Sequence, residues 1–114
     1  MFPQPRKAED FMDKILGMLG LANRAGKVFS GGFAAEKALT GGDAKLVLIS
    51  SDAKKNTVGT FVSKCEFYHV PLRYYSTKEE LGHALGKGER SCLAVTDEGF
   101  ARSLLKLLDE EKNL

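Results

Sequence analysis

Gly26 to Thr57 reads GKVFSGGFAAEKALTGGDAKLVLISSDAKKNT, and this stretch decides the fold. Val28 and Phe29 make a short strand that runs into Ser30, Gly31 and Gly32. Ser30 or Gly31 can cap a helix reaching about Thr40. At roughly 100° per residue, Ala34, Ala35, Ala38 and Leu39 fall on one side of that helix, while Phe33, Glu36 and Lys37 project from the other. Gly41 and Gly42 stop it. KLVLIS, residues 45–50, then forms an apolar, β-branched run without alternation, as a parallel strand covered on both faces would. A basic polar loop with Lys54 and Lys55 follows. Strand, glycine turn, helix, glycine turn and strand make a βαβ unit whose loops are unusually open.

Outward from this unit the pattern repeats. Toward the N-terminus, Phe11, Ile15, Met18, Leu19 and Ala22 recur at helical spacing, with Gly26 placed to end the helix and residues 1–7 read as a frayed leader. Toward the C-terminus, Val58, Phe61, Val62 and Cys65 mark a third helix capped by Asn56 or Thr57. Val70-Pro71 opens the strand LRYY, and proline is tolerated at a strand's first residue. Thr77 with Glu80, or Ser76 with Glu79, forms a capping box for a short helix through Leu81, Ala84 and Leu85. A glycine-rich basic loop, Gly86 to Ser91, leads to the strand CLAV. Asp97 or Thr96 then caps a last helix with Phe100, Leu104, Leu107 and Leu108 on its apolar face. Helices alternating with strands predict an α/β fold, a three-layer αβα sandwich around a central four-stranded, mostly parallel sheet. One domain over residues 8–112 accounts for the length of 114 residues.

The composition excludes several classes. The longest apolar run, Leu46 to Ile49, is far below membrane-spanning length. Prolines and charges in MFPQPRKAED stand where a signal peptide needs an apolar centre, so the expected location is the cytoplasm. Cys65 and Cys92 are far apart and only His69 and His83 could join them, so neither a metal site nor a redox pair is expected. No cofactor motif is present either. A net charge of +2 permits a polyanion partner without requiring one. The distribution says more: from Arg24 to Lys55 the cations Arg24, Lys27, Lys37, Lys45, Lys54 and Lys55 face three acids, whereas Asp97 to Lys112 is acid-rich.

Catalytic patterns are missing. Both Gly-Lys pairs fail the phosphate-loop motif, since Leu21 and Leu81 stand in the first glycine's place and Val28 and Gly88 follow the lysines. Cys65 and His69 are four apart on a helix and could pair a thiol with a base, but a core cysteine beside an exposed histidine is by far the better account of them. Asp97, Glu98, Glu79 and Glu80 sit in first helical turns, where the dipole favours acids without catalysis. The chain is therefore expected not to be an enzyme. Amides at Gly31, Gly32 and Phe33 open a helix and offer an anion site that a phosphate backbone can approach unobstructed. Lys37 lies one turn along, and Arg90 can add a cation from the second loop. Phe33 on the exposed side suits stacking on an unpaired base, or else folds back onto the first helix.

Across Lys14 to Leu108 the sequence resembles the kink-turn RNA-binding family of ribosomal proteins, L-seven-Ae and L-thirty-e, in its bacterial YlxQ-like branch. The residues that carry the resemblance are LGMLGLANRAGKVFSG, EKALTGGDAKLVLISSDA, CEFYHVPLRYY, KEELGHALGKGER and AVTDEGFA. It implies the αβα fold and binding of structured, sharply bent RNA with tandem sheared G·A pairs; association with the ribosome and a monomeric state are further expectations. The family's signature falls on Gly31 to Lys37. Glycine and lysine are kept, but the asparagine and glutamate that read guanines are replaced by Phe33 and Ala34, which cannot hydrogen-bond a base edge. The second contact loop falls on Gly86 to Ser91. Together with the cations of the Arg24 to Lys55 stretch, the expected RNA-binding set is Arg24, Lys27, Gly31, Gly32, Phe33, Lys37, Lys54, Lys55, Arg90 and Ser91. Two other classes stay open: a small-molecule-binding protein or enzyme on the same fold, and a ribosome-associated module that meets protein partners through Phe33.

Overall fold

The computed structural model describes residues 7–113, the side chains of 7–10 and 13 excepted. The expected leader falls outside them but for its last residue. The chain forms α1 (Lys7–Arg24), β1 (Val28–Ser30), α2 (Gly32–Thr40), β2 (Leu46–Ile49), α3 (Lys55–Tyr68), β3 (Leu72–Tyr74), α4 (Lys78–Ala84), β4 (Cys92–Val95) and α5 (Glu98–Glu111). This is the expected order. Gly26, with φ 75°, ends α1: its amide donates to the Asn23 carbonyl and that of Lys27 to Ala22, which closes the last turn. Thr77 accepts from the Glu80 amide and Asp97 from the Phe100 amide, so both expected caps form. Helix α3 starts earlier than expected, with Lys54 and not Asn56 or Thr57 at its cap.

Every residue of β2 and β4 is buried, and their side chains alternate between two cores. Leu46, Leu48, Leu93 and Val95 pack with Ile15, Leu19, Leu81 and Leu104 of α1, α4 and α5. Val47, Ile49, Cys92 and Ala94 pack with Ala35, Leu39, Phe61 and Cys65 of α2 and α3. Helices thus cover both faces, giving the three layers. Of the side chains expected on the inner side of α2, Ala35, Ala38 and Leu39 are buried and Ala34 is half-buried.

The strand directions correct the expectation of a mostly parallel sheet. The order is β1-β4-β2-β3, with β2–β3 parallel but β4 antiparallel to both β1 and β2. Strands β1, β2 and β3 point the same way, and β4 is inserted reversed between the first two. An unbroken apolar run reports burial on two faces, which a central antiparallel strand shares with a parallel one. The reversal has a local cause. After α4 the chain folds back until the Arg90 amide donates to the carbonyl of Lys78, the first residue of α4, at 2.9 Å. Strand β4 therefore begins at the end of the sheet where β3 finished.

Candidate nucleic-acid interface

Because β4 is reversed, its first residues lie beside the last residues of β1 and β2. The Gly31 amide donates to the Cys92 carbonyl and the Ser50 amide to the Ser91 carbonyl, both at 2.9 Å. The first bond holds the start of α2, and the second the end of β2, against the junction of the 86–91 loop with β4. Between the start of α2 and this loop lies a cleft of about 470 Å³, lined among others by Ser30, Gly31, Gly32, Phe33, Arg90 and Ser91. Five of the expected site residues are gathered here.

Gly31 caps α2 with φ 92° and ψ 159°, backbone that glycine adopts without strain. No side chain caps this helix. The Gly31 amide is already bonded to Cys92, so the anion cradle expected from Gly31, Gly32 and Phe33 moves one residue on. The amides of Gly32, Phe33 and Ala34 precede the first intrahelical donor, Ala35, whose amide bonds the Gly31 carbonyl at 3.0 Å. Lys37 is exposed one turn further along.

Arg90 is held in place from several sides. Its Nε donates to the Ser30 hydroxyl at 3.3 Å, and its Nη1 to the carbonyls of Glu89 at 2.9 Å and Gly88 at 3.4 Å. Lys87 Nζ donates to the same Ser30 oxygen at 3.5 Å. The Nη2 group takes no part in these bonds. Neither Lys87 nor Ser30 was in the expected contact set, Ser30 having been read only as a candidate cap, although a lysine in a glycine-rich loop and a serine at a glycine turn carried the signal. Gly82 was missed as well. It is buried in α4, and a Cβ there would collide with the Gly88 carbonyl. An isolated glycine inside a helix is the mark of such a close approach. The loop is further tied by Lys87 N to the Gly82 carbonyl at 2.8 Å and by Asn23 Nδ2 to the Leu85 carbonyl at 3.1 Å.

The remaining expected cations divide. Lys54 and Lys55 are exposed where α3 begins, at the same end of the sheet but outside the cleft lining. Beside them the Lys78 amide donates to the Asp52 carboxylate at 2.9 Å. Lys27 stands at the opposite end of β1, where its carbonyl accepts from the Thr96 amide at 2.9 Å. Arg24 lines a groove between α1 and α5 with Lys14 and Lys106. Neither Lys27 nor Arg24 joins the cleft.

Phe33 is 84% exposed, and α1 lies on the other face of the sheet, so the ring does not fold back onto the first helix. It borders a second groove, of about 410 Å³, together with Phe29, which is 45% exposed on the edge strand β1. Cys65 is 4% exposed, and burial pushes its thiol up to about 11, the reverse of an activated nucleophile. Among the described residues no cluster of acids, cysteines and histidines could hold a metal, and no helix is long and apolar enough to cross a membrane.

Comparison with known proteins bears on the family and the fold. A sequence model of the ribosomal protein L7Ae/L30e/S12e/Gadd45 family matches residues 13–105. The RNA-binding protein YlxQ of Bacillus subtilis (strain 168) is 46% identical over 92 residues, 81% of this chain and 92% of that protein. The large ribosomal subunit protein eL8 of Thermoplasma volcanium is 31% identical over 99 residues, 86% of this chain and 82% of that protein. Among solved structures, a Bacillus halodurans protein of unknown function superposes with a TM-score of 0.82 at 40% identity, over 84% of this chain and 97% of its own. The Giardia lamblia 15.5kD RNA binding protein shares the fold, with a TM-score of 0.76 at 18% identity over 98% and 94% of the two chains. The chain belongs to the ribosomal protein L7Ae/L30e/S12e/Gadd45 family.

Proposed function

We propose that this chain is an RNA-binding protein whose single domain, residues 8–112, takes structured, sharply bent RNA of the kink-turn or ribosomal kind. It acts as a monomer in the cytoplasm, in association with the ribosome, and performs no catalysis. The observation that carries this reading is the cleft where the uncapped start of α2 meets Arg90. Free helix amides and a positioned guanidinium both suit phosphate oxygens, and the glycines let a backbone come close. Gly31, Gly32, Phe33, Arg90 and Ser91 form the centre of the contact, Lys37, Lys54 and Lys55 extend its positive field, and Lys27 and Arg24 reach only an RNA long enough to pass the edge of the sheet. Phe33 and Ala34 replace the family's polar pair, so the start of α2 grips the backbone and stacks on a base but does not hydrogen-bond base edges with its side chains. Being named for RNA binding, the B. subtilis relative supports the same assignment.

Crosslinking in cells followed by sequencing of the attached RNA tests the reading. The expected result is enrichment of structured RNA that is lost in an Arg90→Ala, Lys37→Ala double variant. Recovery of no RNA above background, with the folded protein present, would overturn it.

A further inference from the structure

The groove beyond Phe33 has a different character from the cleft. Phe29 and Phe33, two exposed rings from the edge strand and the helix that follows it, border it together with Lys37, Asp43 and Thr96. Its wall on the α2 side is small, made by Ala34, Ala38 and Gly41. Among the described residues the Asp43 carboxylate has no hydrogen-bond or ion-pair partner and is exposed. Thr96 donates its hydroxyl hydrogen to the Lys27 carbonyl at 3.3 Å, so its oxygen faces a ligand only as an acceptor. The groove therefore offers aromatic faces and hydrogen-bond acceptors.

We infer that this groove is a stacking site for one unpaired guanine of the RNA whose backbone lies in the cleft, an inference that rests on the RNA-binding reading above. An unpaired carboxylate repels phosphate, whereas Glu89 at the cleft is paired with Lys78 at 3.5 Å, so the part of an RNA that fits beside Asp43 is a base and not the backbone. Exposed aromatic rings are the usual platform for a splayed base. Guanine carries its N1–H and exocyclic N2–H side by side, and a carboxylate accepts two parallel donors. No other standard base presents that pair. Phe33 borders both cleft and groove, which makes the two sites continuous, and Lys37 at the groove takes the phosphate of the inserted nucleotide. The recognition lost where Phe33 and Ala34 replace the family's polar pair is regained one groove away, with Asp43 as the reading group.

Titrations with the full chain test this, using a kink-turn hairpin and the RNA pentamers UUGUU and UUUUU on wild type, Phe29→Val and Asp43→Asn. Valine keeps the strand preference of an exposed edge position while removing the ring. The expected result is that wild type binds UUGUU at least about fivefold tighter than UUUUU. Phe29→Val weakens UUGUU by about tenfold, the lower part of the range for one stacked base. Asp43→Asn brings UUGUU down to the level of UUUUU without weakening UUUUU. Hairpin binding together with pentamers that bind alike, or not at all, overturns the guanine site and leaves the groove to a protein partner. Failure of the hairpin to bind overturns the RNA reading itself.

Discussion

Gly82 of α4 lies so close to Gly88 that a methyl group on Gly82 would meet the Gly88 carbonyl oxygen and carbon. The helix and the Arg90 loop are therefore fitted to each other by backbone contact. Gly82→Ala is expected to force the loop outward and to destabilise the protein by about 1–3 kcal/mol, the usual cost of overpacking. RNA affinity should fall with it. A Cβ on Gly88 meets nothing within 4 Å, so Gly88→Ala should stay within about 0.5 kcal/mol of wild type. Urea unfolding of the two variants checks this, and equal midpoints would show that the close approach is not needed.

Lys37→Ala should weaken RNA binding without changing stability, since the side chain is exposed and makes no ion pair among the described residues. Losing one phosphate contact lowers the slope of log K against log salt by about 0.7–0.9. Isotherms at four salt concentrations measure that slope. Superimposable lines for the two proteins would remove Lys37 from the interface.

Phe33→Asn with Ala34→Glu restores the polar pair of the resembled family. The double variant is expected to raise the preference for a kink-turn RNA over one without G·A pairs, by about 1–3 kcal/mol for a good polar base contact. Glutamate in the first turn suits the helix dipole, and Ala34 is only half-buried, so unfolding temperature should change little. A competition assay with the two RNAs decides the matter. Reduced discrimination in the variant would make Phe33 itself part of the recognition.

Both cysteines should resist alkylation in the folded chain. Burial raises the thiol of Cys65 to about 11 and also raises that of Cys92. A group whose folded pKa lies above its unfolded value of about 8.5 contributes stability that is complete below that value and is lost as pH rises toward the folded one. Iodoacetamide at pH 8 should leave the native protein unmodified within an hour and label both residues in denaturant. Rapid native labelling at pH 8 would contradict this, as would stability that holds undiminished from pH 8 to 11.

The helices and strands were legible because their signals are local. Leu104 and Leu108 share a face by spacing, Asp97 caps by chemistry, and Gly26 stops α1 by its backbone freedom. The direction of β4 was not legible, because Cys92 to Val95 is buried on both faces whichever way it runs. What reverses it is the fold-back of the chain along α4, where the Arg90 amide bonds the Lys78 carbonyl. That reversal also decides the site: a parallel β4 would have put Arg90 at the far end of the sheet from Gly31. Lys27 shows the converse error. It is four residues from Gly31 in sequence, but an extended strand carries it to the opposite end, and charge counted along the chain ignores that distance. Gly82 and Ser30 carried a local signal, a glycine inside a helix and a serine at a glycine turn, but the partners they meet, Gly88 and Arg90, are set by the fold.

Arg90 stands ready before any ligand arrives, its Nε and Nη1 fixed on Ser30, Gly88 and Glu89. A flexible arginine forfeits about 0.5–1.5 kcal/mol of rotamer freedom when it is immobilised at an interface. In this chain folding has already removed that freedom. Capture of a polyanion then needs no waiting for the loop to order, so the association rate follows diffusion and the positive field, and rises steeply as salt is lowered. Ser30→Ala, which frees the guanidinium from its hydroxyl, should leave this field intact and slow association all the same.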